Sequence, residues 1–200
     1  MVRTLSQEKR IKLLNSALTL FAHNGVMNTS TAEIAKEAGV AAGTLFLYFP
    51  TKQDLLDQLA LKIGREQSAT INHLLEQAGS ARQAFFSIWQ GSVTWFLDNL
   101  EAFQYLQQVR DAGMISEAAV QESNQFFLYY YNAIQQGFQE GSIKAYPPGL
   151  IGDFLYHDIV AVIQHLRRQP EPGQHAQIIR QGFEIFWAGI QSDPKEGFLA

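Results

Sequence analysis

The stretch that decides the fold runs Thr29-Ser30-Thr31-Ala32-Glu33-Ile34-Ala35-Lys36-Glu37-Ala38-Gly39-Val40-Ala41-Ala42-Gly43-Thr44-Leu45-Phe46-Leu47-Tyr48-Phe49-Pro50-Thr51-Lys52. Ser30 stands three residues before Glu33, the spacing of a capping box. Its hydroxyl accepts the third backbone N–H of a new helix while the carboxylate reaches back. Gly39 stops that helix, and a second short helix is expected from Ala41 to Phe49, where Pro50 ends it. Two short helices across a Gly-containing turn make a helix-turn-helix. Ala35 is small where the helices approach, and Ile34, Val40, Leu45 and Phe49 supply an apolar interior. The second helix then turns Ala41, Ala42, Thr44, Leu47 and Tyr48 outward, the face that such motifs lay in a DNA groove.

Working outward, apolar spacing is helical nearly everywhere. Ile11, Leu14, Leu18 and Phe21 mark an amphipathic helix from about residue 6 to 23, ended at Asn24-Gly25. Thr51 caps a long helix through Leu55, Leu59 and Ile63 toward Gly79. Further helices are expected at about 80–97, 98–110, 116–141, 150–168 and 174–191, the later ones separated by Pro147-Pro148 and by Pro170 and Pro172. The sum is an all-α chain of about nine helices. It divides into a helix-turn-helix domain, residues 1–54, and a helical ligand-binding and dimerisation domain, residues 55–200.

Composition excludes several classes of function. Apolar residues make up 46% of the 200 and charged residues 17%, too apolar for disorder. No run reaches the 18 or so apolar residues of a membrane span. There is no cysteine, so thiolate metal sites, thiol nucleophiles and disulfides are out, which suits a cytoplasmic location. Lys12, Asn15 and Ser16 interrupt the apolar stretch near the start, against a signal peptide. Residues 1–54 hold six Lys/Arg and four acids, whereas the remainder holds nine and fifteen. A basic head on an acidic body allows a local polyanion site.

The stretch quoted above, with Gly43-Thr44-Leu45 and Tyr48-Phe49-Pro50-Thr51-Lys52, resembles the N-terminal signature of the TetR family of transcriptional repressors. The resemblance extends from Ile11 to Leu56. It implies a two-fold dimer on a pseudo-palindromic operator, released by a small molecule in the C-terminal domain, and no enzymatic activity. It places Thr44, Tyr48 and Lys52 at DNA-contacting positions and Ser30 at a helix start beside phosphate. Three positions depart from the pattern: Ala41 where a capping Ser is common, Ala42 where Lys is frequent, and Phe46 in place of Tyr. The candidate DNA-binding set is Ser30, Thr31, Ala42, Gly43, Thr44, Leu47, Tyr48 and Lys52. The second helix carries no charge from Ala41 to Phe49. Readout by hydrogen bonds is therefore limited to Thr44, Tyr48 and the backbone, and Ala42 and Leu47 can instead meet thymine methyls. Phosphate neutralisation falls to Lys52, to the arm around Arg3 and to Lys9, Arg10 and Lys12.

Twenty of the twenty-four aromatic residues follow residue 54. Five between 126 and 131 go round a helix, more than one core stripe holds. Core packing explains any single one; together they point to an apolar cavity with polar handles. The candidate lining is Trp89, Phe103, Arg110, Asn124, Phe127, Tyr130, Phe154 and His157, for an apolar or aromatic inducer. The last two helices are apolar on more than one face. Leu155, Ile163, Phe183, Phe186 and Trp187 are the candidates for a homodimer interface, with burial inside one chain as the alternative. The five histidines show no metal-ligand spacing, and no nucleophile elbow or phosphate loop is present, so no cofactor and no metal is expected. The competing readings are a helical small-molecule-binding protein that does not bind DNA and a helical enzyme built on the aromatic cavity.

Overall fold

The computed structural model describes residues 5–168 and 172–192, and it is all-helical. Ten helices follow in order: α1 Gln7–Asn24, α2 Thr31–Glu37, α3 Ala42–Tyr48, α4 Lys52–Leu75, α5 Ala81–Asp98, α6 Leu100–Asp111, α7 Glu117–Ser123, α8 Leu128–Gln139, α9 Pro148–Arg168 and α10 His175–Ile190. Among the described residues the sole β pairing is an isolated antiparallel bridge between Ile143 and Gln191. No described helix is long and apolar enough to cross a membrane.

One sequence expectation changes here. The helix expected over 116–141 is two helices, α7 and α8, separated by a 3₁₀ turn at Asn124–Phe127. The Ser123 hydroxyl shares the Val120 carbonyl of the last turn with the Asn124 N–H. The Phe127 backbone, at φ −107° and ψ 20°, then breaks the ladder before α8.

The chain packs as two units. The first comprises the chain up to Glu66 and Asn99–Gln125; the second comprises Gln67–Asp98 and the chain from Phe126 onward. By packing, then, α6, α7 and most of α4 join the helix-turn-helix, whereas the sequence suggested a boundary after residue 54.

In the first unit the core is Leu13, Leu14, Ala17, Phe21, Ile34, Leu45, Phe49, Leu55 and Leu59, all nearly solvent-free. Phe21 stacks on Tyr105 of α6 with centroids 5.8 Å apart. The buried Tyr105 hydroxyl donates to the Leu56 carbonyl at 2.7 Å, and burial pushes this phenol well above its ordinary range. Gln108 of α6 accepts from the Val26 N–H and donates to the Phe21 carbonyl, both at 3.0 Å. One side chain thus satisfies two backbone groups where α1 ends and the next loop begins.

The second unit is built around Trp89 of α5. It packs against both Phe183 and Phe186 of α10, and its indole N–H donates to the Ile179 carbonyl at 2.9 Å. Gly182 allows α10 this close approach: a Cβ there would sit 2.5 Å from Val162 of α9 and 2.9 Å from Trp89. Arg82 closes the rim, pairing with Glu184 at 2.6 Å and lying over the Phe183 and Trp187 rings.

Candidate nucleic-acid interface

The reading head is assembled from local signals. Ser30 and Glu33 form the expected capping box of α2, the hydroxyl accepting the Glu33 N–H at 3.2 Å and the carboxylate accepting the Ser30 N–H at 2.7 Å. Gly39 turns the chain at φ +68°, a left-handed backbone that disfavours any residue with a Cβ. The Val40 N–H then returns to the Ala35 carbonyl at 2.9 Å. Below α3, Leu45 and Phe49 are buried at 0% and 1% exposure. Thr51 and Asp54 cap α4 by reciprocal bonds, the carboxylate accepting from the Thr51 N–H and hydroxyl and the hydroxyl accepting the Asp54 N–H.

The anchored face fixes the opposite one. Ala42, Gly43, Phe46 and Leu47 share the outward side of α3 and are exposed, Phe46 by 47% and Leu47 by 64%. Thr44 and Tyr48 flank them, half-buried.

Several polar candidates prove to be engaged within the protein. The Tyr48 hydroxyl accepts the Ser6 N–H at 3.0 Å, tying α3 to the start of α1. The Lys52 ammonium, half-buried, donates to the carbonyls of Val26 and Thr29 at 2.7 and 2.8 Å and lies 5.8 Å from the Phe21 ring centroid. It clamps the α1–α2 loop, with at most one N–H left for a phosphate. The Ser30 hydroxyl both donates to Glu33 and accepts from it. A phosphate placed there would meet that carboxylate. Thr31 is half-buried in the first turn of α2.

Of the cations named from sequence, Arg10 donates to Gln58 at 2.6 Å and lies over Phe49, and Lys12 pairs with Glu8 on the surface. Arg3 lies outside the described residues. Lys9 and Lys36 are exposed, and their ammonium groups hold no hydrogen bond or salt bridge among the described residues. Lys36 is an additional cation of the head, placed on the outer side of α2 by the spacing of buried Ile34 and Ala35.

Residues 13–59 match the family model for bacterial regulatory proteins of the tetR family. The chain thus carries the TetR-family helix-turn-helix domain. Its similarity extends beyond the head. It is 25% identical over 208 residues to the HTH-type transcriptional regulator SrpR of Pseudomonas putida, covering 95% of this chain and 89% of that one. A crystal structure from Shewanella sp. PV-4, assigned to tetR family transcription regulators, superposes with TM-score 0.86 at 29% identity, covering 94% of this chain and all of the other. A transcriptional regulator FadR from Bacillus subtilis, solved in complex with stearoyl-CoA, superposes with TM-score 0.72 at 20% identity over 90% of this chain and 99% of that one. The protein is therefore a helix-turn-helix transcriptional regulator, a family of DNA-binding proteins and not of enzymes.

In this regulator the eight pocket candidates are divided between the two units. Phe103, Arg110 and Asn124 are in the first unit, with Phe103 buried and the other two exposed. Trp89, Phe127, Tyr130, Phe154 and His157 are in the second. Trp89 is fully buried core. Tyr130 meets Phe85 edge-on at 6.2 Å, and its hydroxyl donates to the Pro148 carbonyl at 2.6 Å. Burial drives the Tyr129 and Tyr130 phenols above their ordinary range. Phe127 is half-buried, while Phe154 and His157 lie exposed on α9.

The interface candidates Leu155, Ile163, Phe183, Phe186 and Trp187 are buried inside the chain, at 6, 0, 1, 3 and 4% exposure. Aromatic residues of α10 turn to α5, which already covers them. The apolar residues these helices leave uncovered are Leu150 and Phe154 on α9 and Ile185 on α10.

Proposed function

We propose that the protein is a ligand-responsive repressor that binds a pseudo-palindromic operator as a homodimer. The observation that carries this reading is α3. Seven residues are anchored by Leu45 and Phe49 so that Phe46 and Leu47 face solvent, an arrangement that costs exposed apolar surface and serves no packing. A groove-reading helix accounts for it. Beside Phe46 and Leu47 the small, uncharged Ala42 and Gly43 let the start of the helix approach the DNA closely.

Two heads are needed for two half-sites one helical turn apart. We place the pairing surface on the outward faces of α9 and α10, around Phe154 and Ile185, in preference to the five buried candidates. The inducer is a lipophilic or aromatic small molecule, taken up by the second unit with Phe127 and Tyr130 in its lining. The aromatic content of α8 supports this, as does the stearoyl-CoA complex of a regulator with the same fold.

A gel-shift titration of the full chain on the DNA upstream of its own gene, at several salt concentrations, tests the reading. A shift to one discrete complex with two protein chains per duplex is expected, weakening as salt rises. Binding of the same strength to any duplex, or to none, would instead favour a helical small-molecule-binding protein that does not read DNA.

A further inference from the structure

We infer that α3 reads its half-site through thymine C5-methyl groups, with Leu47 and Phe46 as the specificity-determining side chains. This rests on the DNA-binding reading above and adds the chemistry of the site recognised. In the major groove the methyl of thymine is the one apolar group that projects from the unmodified base edges; the other features by which bases are told apart are hydrogen-bond donors and acceptors. Reading guanine or adenine by bidentate hydrogen bonds takes Arg, Lys, Asn or Gln. From Ala41 to Phe49 none of these occurs.

The polar groups that flank the helix are largely committed elsewhere. Tyr48, half-buried, accepts the Ser6 N–H and keeps only its O–H to donate, and Lys52 holds two carbonyls. Thr44 stands beside them, half-buried at the edge of the face. What the helix turns outward is a phenyl ring and an isobutyl group, 47% and 64% exposed, beside Ala42 and Gly43. Apolar groups of this size in a hydrated groove gain free energy chiefly by desolvating another apolar group, and a thymine methyl is the available one.

The test uses synthetic unmethylated duplexes, so 5-methylcytosine cannot supply the methyl. The full chain first enriches its preferred sequence from a random pool. Each thymidine of that sequence is then replaced by deoxyuridine, which removes the methyl and leaves the hydrogen-bonding edge intact. Affinity is expected to fall roughly four-fold for each methyl in contact, the equivalent of one buried methyl-sized group. Leu47→Ala and Phe46→Ala, both at exposed positions, should each abolish the thymidine–deoxyuridine difference at particular positions while melting like the wild type. Unchanged affinity on every deoxyuridine duplex would overturn the inference and leave DNA binding intact, as would full discrimination in the double variant. Failure to enrich any duplex would overturn the DNA-binding reading itself, and this inference with it.

Discussion

The Lys52 ammonium donates to the Val26 carbonyl at 2.7 Å, and by this bond the first turn of α4 holds the loop between α1 and α2. The same ammonium takes the Thr29 carbonyl at 2.8 Å. The residue that resemblance marks as a DNA contact is thus first a positioning residue for the helix-turn-helix. Lys52→Ala is expected to destabilise the protein by about 2 kcal/mol, since hydrogen bonds to a charged group contribute more than neutral ones. Melting should fall by several degrees. The salt dependence of DNA binding should change less in this variant than in Lys36→Ala, whose exposed ammonium has no internal bond to keep it. If Lys52→Ala leaves melting unchanged and flattens the salt slope by a full phosphate's worth, the clamp is incidental and phosphate contact is its role.

Gln108 makes a second tie of the same kind from α6. Gln108→Ala would leave the part-buried Val26 N–H without its partner, while the Phe21 carbonyl keeps only the Gly25 N–H. A loss of about 1–3 kcal/mol is expected from a donor so orphaned. Gln108→Glu keeps an acceptor for Val26 but cannot donate to Phe21, so it should fall between wild type and Ala. Urea unfolding gives the stability order, and amide exchange at Val26 gives the local effect. Equal stability in all three proteins would show that α6 does not hold the end of α1.

Why the head was legible in sequence and these ties were not is a matter of distance along the chain. The Ser30–Glu33 box, Gly39 and the Leu45/Phe49 spacing act within a few residues, so their pattern is visible in one dimension. Gln108 reaches a partner more than eighty residues away, and glutamine on a helix surface carries no signal of it. Lys52 has a long stem that can serve solvent, phosphate or a carbonyl, and only the fold selects. For α9 and α10 the sequence shows two apolar faces but not which one the chain itself covers. Trp89, Phe183 and Phe186 choose the aromatic one by packing ring against ring. The 3₁₀ break after Ser123 was hidden because Phe126 to Tyr131 keeps helical apolar spacing across it.

Charge in the α2 cap is expected to show in the pH dependence of stability. The Ser30 backbone N–H, and after it the Ser30 hydroxyl, hold the Glu33 carboxyl below its ordinary range. A carboxylate whose folded value is lowered contributes fully above the unfolded value and loses that contribution as pH falls through the folded one. Wild type should therefore lose more stability than Glu33→Gln between neutral pH and about pH 3. The measurement is the urea midpoint of both proteins across that range. Parallel curves would mean that the box is held equally well by a neutral acceptor. Ser30→Ala, which removes the N-cap itself, should cost about 1 kcal/mol at neutral pH.

The two faces of α10 separate assembly from folding. Phe186 is 3% exposed against Trp89, whereas Ile185 beside it in sequence is 74% exposed. A charge at Phe186 must either be buried unpaired or open the aromatic core. Phe186→Glu is thus expected to unfold the second unit, whatever the oligomeric state. Ile185→Glu places its charge in solvent in the isolated chain and should leave melting of a monomer almost unchanged. If the outward face of α10 pairs with a second copy, the same substitution buries a charge against its own symmetry mate, because a two-fold interface repeats every change. Sedimentation of Ile185→Glu at micromolar concentration should then give a folded monomer with weakened operator binding. A dimer that persists undiminished in this variant would move the pairing surface off Ile185.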